Sequence, residues 1–216
     1  MLYTIFIDGT EIKTKANSIL LWVALDNGFY IPNLCSIRDI ERPAGSCRLC
    51  FVEIEGMEQP VTACTEGLRD GMKVRLNSPT ISRIRKSAFD LLLSSHKVDC
   101  AHCVKNKKCE LQNIAGRERW KLNDKRFKKI GGNLPIDSSH PAIVFDRNKC
   151  VLCGKCVWVC HEEGSGILDF AYRGIRTMVA TFADMPLAEA GCNSCLACVA
   201  ICPVGALYKK QISGLK

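Results

Sequence analysis

Apolar and polar residues alternate from Leu2 to Ile7, the period of a half-buried strand, and Asp8-Gly9 follows as a hairpin turn. Glu11 to Lys15 returns as a second strand. Asn17 or Ser18 supplies an N-cap for a helix over Ile19 to Asn27, which Gly28 ends. Ile54-Glu55-Gly56 closes a further strand, and Val61 to Cys64 and Lys73 to Leu76 have the same character. The period then changes. Pro79 suits a first helical turn, and Ile81, Ile84, Ala88, Leu91 and Leu92 recur at helical spacing, which predicts an amphipathic helix over Thr80 to Ser95. Gly131-Gly132 and Pro135 mark a boundary. Beyond it, Ala142 to Phe145 reads as a short strand, and Ile167 to Tyr172 and Ile175 to Phe182 as a strand pair around Arg173-Gly174. The fold class is α+β. The longest candidate apolar run, Ile19 to Leu25, is far too short to span a bilayer, so no membrane insertion is expected.

Composition changes this picture at one residue type. The chain has 216 residues and 15 cysteines, an odd number that disulfides cannot pair off completely. MLYTIFIDGT has no basic start and carries Asp8, unlike a secretory leader. Disulfides therefore lose to metal, and the expectation is a soluble, cytoplasmic protein of a reducing compartment. The modules have modest cores, so much of their folding free energy should come from metal ligation.

The cysteines fall into runs. Cys150, Cys153, Cys156 and Cys160 form C-x2-C-x2-C-x3-C, and Cys192, Cys195, Cys198 and Cys202 repeat it, with Pro203 after the last. This is the run that holds two [4Fe–4S] clusters in bacterial two-cluster ferredoxins. Three closely spaced thiolates reach three corners of one cubane, and the fourth, set apart by three residues, serves the partner cluster. The assignment is Cys150, Cys153, Cys156 and Cys202 to one cluster, and Cys160, Cys192, Cys195 and Cys198 to the other. Zinc sites favour two separated cysteine pairs instead. The segment resembles a two-cluster ferredoxin domain with an insertion, roughly His161 to Gly191, between its halves. Val151, Leu152, Val157 and Trp158 are read as an apolar shell that excludes water, and His161 as non-ligating.

Cys35, Cys47, Cys50 and Cys64 are spaced C-x11-C-x2-C-x13-C, the first three in a loop rich in Pro, Gly and Ser. Such a loop can wrap a small inorganic core and aim backbone N–H groups at its sulfides. A structural zinc site on the same thiolates is the alternative. The surrounding order of two strands, a helix and more strands is that of a β-grasp ferredoxin. The segment resembles the [2Fe–2S] domain that opens the complex I large iron–sulfur (75-kDa type) subunit and [FeFe] hydrogenases.

Between these lies H-x3-C-x2-C-x5-C: His96, Cys100, Cys103 and Cys109. Three cysteines leave a [4Fe–4S] cluster one ligand short. His102 sits inside a C-x2-C gap, where side chains usually point away from the metal. The pattern with the following Glu110-Leu111-Gln112 resembles the His-ligated cluster motif of the same two families, which implies His96 as the fourth ligand. The resemblance therefore implies one [2Fe–2S] and three [4Fe–4S] clusters that together use every cysteine. It implies three modules: 1–78 a β-grasp [2Fe–2S] domain, 79–135 a small His/Cys-ligated [4Fe–4S] module, and 136–216 a two-cluster bacterial ferredoxin-like domain.

The formal charge is +8, and residues 97–130 alone carry 11 basic against 4 acidic side chains. Basic residues interleave with Trp120 and Phe127 over 117–133. A nucleic-acid patch, a docking surface for an acidic partner, and a solvated loop packed on the cluster module are all compatible with this. The cluster charges, about −2 for each all-thiolate centre and about −1 for the His-ligated one, nearly cancel the side-chain excess and weaken the nucleic-acid reading.

No cysteine remains for a nucleophile, and no GxGxxG is present for a dinucleotide. The resembling families continue into a large catalytic domain, whereas this sequence stops at Lys216. The expectation is an electron-transfer subunit with no catalytic site of its own, which binds neither NAD, flavin nor hydrogen. It would sit in a hetero-oligomer between a flavoprotein NAD(P)H-oxidoreductase subunit and ferredoxin or a separate catalytic oxidoreductase subunit, such as a hydrogenase, formate dehydrogenase, or tungsten or molybdenum enzyme. Electron bifurcation would fit such a complex. The alternatives are a detached N-terminal part of a longer hydrogenase-like enzyme, or an iron–sulfur redox sensor associated with nucleic acid.

Overall fold

The computed structural model describes residues 1–38, 40, 43–122, 127, 130 and 133–211. The chain divides into two compact units, Met1–Asp90 and Leu91–Lys216, with the break inside one long helix. The Gly131-Gly132 boundary, Lys125, Arg126, Lys128 and Lys129 of the basic stretch, and 212–216 of the tail lie outside the described residues.

In the first unit, β1 (Leu2–Ile7) and β2 (Thr10–Lys15) form a hairpin with Ile5 opposite Ile12. Its turn holds Asp8 at φ 46° and Gly9 at φ 83°, the left-handed pair that suits the twist of a two-residue hairpin. The Asp8 carboxylate also accepts the Leu76 N–H at 2.9 Å. The sheet adds β3 (Phe51–Ile54), β4 (Val61–Thr62) and β5 (Lys73–Arg75) in the order β2-β1-β5-β3-β4, with β1 and β5 parallel and the other pairs antiparallel. Helix α1 (Leu20–Asp26) buries Leu20, Leu21, Val23 and Ala24 in one core with Ile5, Ile7, Val52 and Ile54. This is the expected β-grasp order.

Two local expectations are corrected. Neither Asn17 nor Ser18 caps α1. Ile19 stands at the N-cap position without a side-chain bond, and the carbonyl of Glu66 accepts the Leu20 N–H at 2.9 Å. The loop after Cys64 therefore closes this helix end, and a polar cap is not needed. The strand at Val61 also stops early: Ala63–Thr65 tightens into a 3-10 turn that carries Cys64.

Helix α2 (Pro79–Ser95) begins one residue before the predicted start. Ser78 caps it: its hydroxyl accepts the Ile81 N–H at 3.1 Å and donates to Glu53 at 2.6 Å. Arg85 on this helix is buried, and its Nε and Nη2 donate to the Phe51 carbonyl at 3.0 and 2.6 Å.

The second unit contains α3 (Glu110–Arg117), β6 (Ile143–Phe145), α4 (Lys155–Glu162), β7 (Asp169–Ala171), β8 (Met178–Ala180), α5 (Ala197–Ile201) and β9 (Leu207–Lys209). Strands β6 and β9 pair antiparallel with Phe145 opposite Leu207, and β7 pairs with β8 with Phe170 opposite Val179. The insertion thus holds the expected strand pair, shortened because Gly174–Arg176 turns in a 3-10 conformation and leaves Ile175 exposed. The apolar shell also differs in membership. Val151, Val159, Leu168, Leu187 and Val204 are buried, while Leu152, Val157 and Trp158 are half-exposed. Among the described residues no helix is long and apolar enough to cross a membrane.

Arg85→Met should lower the stability of the first unit by about 2 kcal/mol, since a buried carbonyl loses a charged donor. Anaerobic denaturant unfolding followed by Trp22 fluorescence would read this as a lower midpoint with an unchanged slope.

Candidate metal centres

Cys35, Cys47, Cys50 and Cys64 are all buried, together, at one end of the first unit. Cys35 and Cys47 have their sulfurs 3.4 Å apart, and the Cys47 N–H points to Cys35 Sγ at 3.5 Å. The loop reaches this geometry through two left-handed residues, Gly45 (φ 56°) and Arg48 (φ 55°), the latter inside the C-x2-C gap. Arg38 braces the loop against α1: it makes a two-pronged bond to Asp26 at 2.7 and 2.9 Å, and its guanidinium stands 4.6 Å from the centre of the Trp22 ring. The thiols share protons. Hydrogen bonds from Cys47 and Cys64 hold Cys35 down to about 2. Cys64 lowers Cys50, and the donors Cys47 and Cys64 are pushed up by those same bonds. The buried Ser36 hydroxyl beside Cys35 has no hydrogen-bond partner among the described residues. An inorganic core with bridging sulfides fits this site on both counts: it replaces the shared protons with positive charge, and it offers the orphaned hydroxyl an acceptor.

In the second unit His96 is buried at the end of α2, and its Nδ1 lies 2.8 Å from the carbonyl of Lys149. That carbonyl can only accept, so Nδ1 carries the proton and Nε2 is the unprotonated ring nitrogen. His102 is turned outward, with Nδ1 on the Asp99 carboxylate at 2.8 Å. Cys100 and Cys103 are half-exposed and Cys109 is buried. Burial raises Cys109, with Cys103 and Cys100 near enough to add repulsion. Cys103 packs against the backbone of Gly205, where a Cβ would come within 2.5 Å of its sulfur.

The two C-x2-C-x2-C-x3-C runs fold as equivalent halves. In each, the second residue after the first cysteine is left-handed (Leu152 at φ 54°, Ser194 at φ 62°), and so is the fourth, which precedes the helix (Gly154 at φ 78°, Leu196 at φ 62°). These turns swing successive cysteines toward one centre and free N–H groups for sulfur, as in Leu152 N–H to Cys150 Sγ at 3.4 Å. Burial pushes Cys150 up to about 12, with Cys153 and Cys202 adding repulsion. Cys156 is also raised by burial and then by Cys150, Cys153, Cys202 and Cys198. Burial raises Cys198 to about 12, reinforced by Cys160, Cys192 and Cys195. Cys150 and Cys156 thus neighbour Cys153 and Cys202, Cys198 neighbours Cys160, Cys192 and Cys195, and Cys156 and Cys198 are close enough to repel each other across the two groups. A cavity lined by Cys160, Cys192, Cys195 and Cys198 is walled by Ile143, Ile167, Leu168 and Leu187. His161, next to Cys160, has its Nε2 4.0 Å from the Asp169 carboxylate.

Among the described residues no group of three His, Cys, Asp or Glu side chains converges at single-ion distances. Ligands spread around the corners of a multi-iron core need not do so. Buried thiols that resist ionisation, among them Cys109, Cys150, Cys156 and Cys198, fit a cationic core that supplies the missing positive charge.

The signals that residue patterns missed are the left-handed non-glycine positions and the backbone links between centres. Lys149, whose carbonyl holds His96, precedes Cys150. Glu110, which follows Cys109, donates its N–H at 3.0 Å to Pro203, which follows Cys202. Gly205→Ala should therefore displace Cys103. Metal analysis of the anaerobically purified variant should show a loss of about four iron atoms per chain relative to the parent.

The chain matches the 2Fe-2S iron-sulfur cluster binding domain over residues 2–79, the NADH-ubiquinone oxidoreductase-G iron-sulfur binding region over 85–119, and the 4Fe-4S dicluster domain over 149–206. It is 37% identical over 211 residues to the NADPH-Fe(3+) oxidoreductase subunit alpha of Geobacter sulfurreducens, covering 94% of this chain and 24% of that one. It is 34% identical to the NADP-reducing hydrogenase subunit HndD of Solidesulfovibrio fructosivorans, covering 96% of this chain and 36% of that one. The chain thus spans about a quarter to about a third of the length of these curated relatives. A chain in the crystal structure of an NAD+-reducing [NiFe]-hydrogenase in the H2-reduced state superimposes with a TM-score of 0.87 at 32% identity, covering 96% of this chain and 87% of that one. With binding domains for both [2Fe–2S] and [4Fe–4S] clusters in this order, the chain belongs to the family of the N-terminal iron–sulfur region of the complex I large (75-kDa type) subunit.

Proposed function

We propose that the chain is an electron-transfer subunit holding one [2Fe–2S] and three [4Fe–4S] clusters, about 14 iron atoms in all. Cys35, Cys47, Cys50 and Cys64 hold the first, and His96, Cys100, Cys103 and Cys109 the second. Cys150, Cys153, Cys156 and Cys202 hold the third, and Cys160, Cys192, Cys195 and Cys198 the fourth. When bound, the clusters supply one-electron redox chemistry. The protein's residues ligate them, exclude water with the apolar shell, and aim N–H groups at sulfur. The observation that carries the reading is the pair of backbone links between ligand segments: His96 to Lys149 beside Cys150, and Glu110 to Pro203 beside Cys202. They hold two ligand sets rigidly against each other, which a relay requires and a lone structural metal does not.

The chain works between a flavin-containing NAD(P)H-oxidising subunit and ferredoxin or a separate catalytic subunit, in a cytoplasmic hetero-oligomer. The names of the relatives and the solved neighbour support an NAD(P)-linked complex. Val98 and Val104 are exposed next to the half-exposed Cys100 and Cys103, and the exposed Lys97, Lys107 and Lys108 lie in the same stretch of sequence. That rim suits a weak encounter with an acidic carrier.

The test is anaerobic isolation of the chain from its own cells, followed by addition of NADH or NADPH to the isolated assembly. A co-isolated flavoprotein and pyridine-nucleotide-dependent reduction of the clusters, seen by electron paramagnetic resonance, are expected. Isolation of the chain without a flavoprotein, or with nucleic acid, would overturn the reading.

A neutral imidazole in place of a thiolate removes one negative charge and should make the His96 cluster the easier one to reduce. His96→Cys should lower its midpoint potential in a redox titration. An unchanged or raised value would remove His96 from the ligand set.

A further inference from the structure

Three hydrogen bonds tie residues 137–140 to the loop that carries Cys192 and Cys195. Asp137 Oδ2 accepts the Leu187 N–H at 2.8 Å, Ser139 Oγ accepts the Ala188 N–H at 3.2 Å, and His140 Nε2 lies 3.1 Å from Ser194 Oγ. His140 is 3% exposed, the most deeply buried histidine of the chain among the described residues. Its Nδ1 accepts two backbone N–H groups, from Ala142 at 3.1 Å and Ile143 at 3.2 Å, at the entry to β6. With that lone pair engaged, the ring proton sits on Nε2 and is donated to Ser194. The Ser194 hydroxyl keeps its own hydrogen to donate elsewhere.

The two halves of the cluster domain differ at this point. In the first half the loop enters from a 3-10 turn, Arg147–Lys149, capped by the Asp146 carboxylate through the Asn148 N–H at 3.1 Å. Among the described residues the second half has no such capped turn before Cys192, and residues 185–196 contain no helix or strand. Cys195 is nonetheless the exposed cysteine of the chain, and Ser194 beside it holds a left-handed φ of 62°. A non-glycine residue in that region needs its surroundings to keep it there.

We propose that His140, assisted by Asp137 and Ser139, is a positioning residue for the cluster of Cys160, Cys192, Cys195 and Cys198: a buried neutral imidazole pins Ser194 and with it the left-handed turn between two ligands. The proposal rests on the reading that these four cysteines hold a cluster. Its effect is twofold. The pinned turn slows loss of iron from the solvent-facing side, and it fixes donor groups near the cluster sulfurs, which favours the reduced, more negative state.

A double-mutant cycle on the anaerobically purified, cluster-loaded chain tests it. His140→Asn keeps an acceptor for Ala142 and Ile143 but cannot reach Ser194, and Ser194→Ala removes the other end. Each cluster's midpoint potential is read by electron paramagnetic resonance titration, and iron release to a chelator is timed. Both single variants should lower the potential of the same [4Fe–4S] centre, leave the other centres in place, and speed its iron loss roughly ten-fold. The double variant should go no further than either single one, because both cut the same link. Additive effects, equal shifts in all clusters, or no shift in any would overturn the proposal. A parent chain that lacks this fourth centre would overturn the underlying reading before any variant is compared.

Discussion

The structure depends on the crowding of sulfur. In the second unit Cys109, Cys150, Cys156 and Cys198 lie where burial and then neighbouring thiols oppose ionisation, whereas in the first unit hydrogen bonds between thiols hold Cys35 and Cys50 down and push Cys47 and Cys64 up. A thiol is a poor iron ligand and a thiolate a good one, so each site stores an unfavourable electrostatic arrangement that a cationic core relieves. Under the cluster reading, metal binding and local folding are one event. The second unit shows this most plainly: its strands are three residues long, its helices short, and its ligand loops irregular. The first unit differs, since its sheet and α1 share a continuous apolar core that does not pass through the cysteine loop alone.

How the centres are joined follows from the same economy of structure. His96 is oriented by the Lys149 carbonyl at its Nδ1, and Lys149 owes its position to the Asp146-capped turn that also delivers Cys150. Asn148 in that turn binds the backbone of Leu134 in both directions, through its Nδ2 at 2.9 Å and its Oδ1 at 2.8 Å, and its own carbonyl takes the Lys97 N–H at 2.7 Å. One short turn thus sets the position of two neighbouring ligand sets. Under the relay reading this is the property that matters, because transfer between centres depends steeply on separation and little on acid–base groups.

Much of this was legible in the residues. The repeated cysteine spacing announces two like-folded halves, because both turn at the second and fourth residues after their first cysteine. The β-grasp order was visible because strand alternation and a short amphipathic helix are local signals. What stayed hidden is non-local or conformationally costly. The Glu66 carbonyl that closes α1 lies more than forty residues away in sequence, so propensity favoured Asn17 or Ser18 instead. Arg48, Leu152, Ser194 and Leu196 adopt left-handed backbone that no residue rule would assign to them. These turns set the direction of the cysteines on either side of them, a tertiary requirement that local propensity does not report.

The two ferredoxin halves carry this point further. Their cysteine spacings are identical, and so are the positions of their left-handed residues, yet the means of holding them differ. Gly154 adopts its φ of 78° without a Cβ, and Phe170 from the insertion packs 3.4 Å from where one would stand. Leu196 adopts φ 62° with a full side chain. The first half is thus preorganised by composition and a capped turn, while the second combines a local bond, Asn193 Oδ1 accepting the Cys195 N–H at 3.2 Å, with long-range bonds from residues 137–140. The insertion explains the division. A chain that leaves Cys160, builds β7 and β8, and returns at Cys192 cannot inherit the entry geometry of the first half, so an element from outside the repeat must supply it.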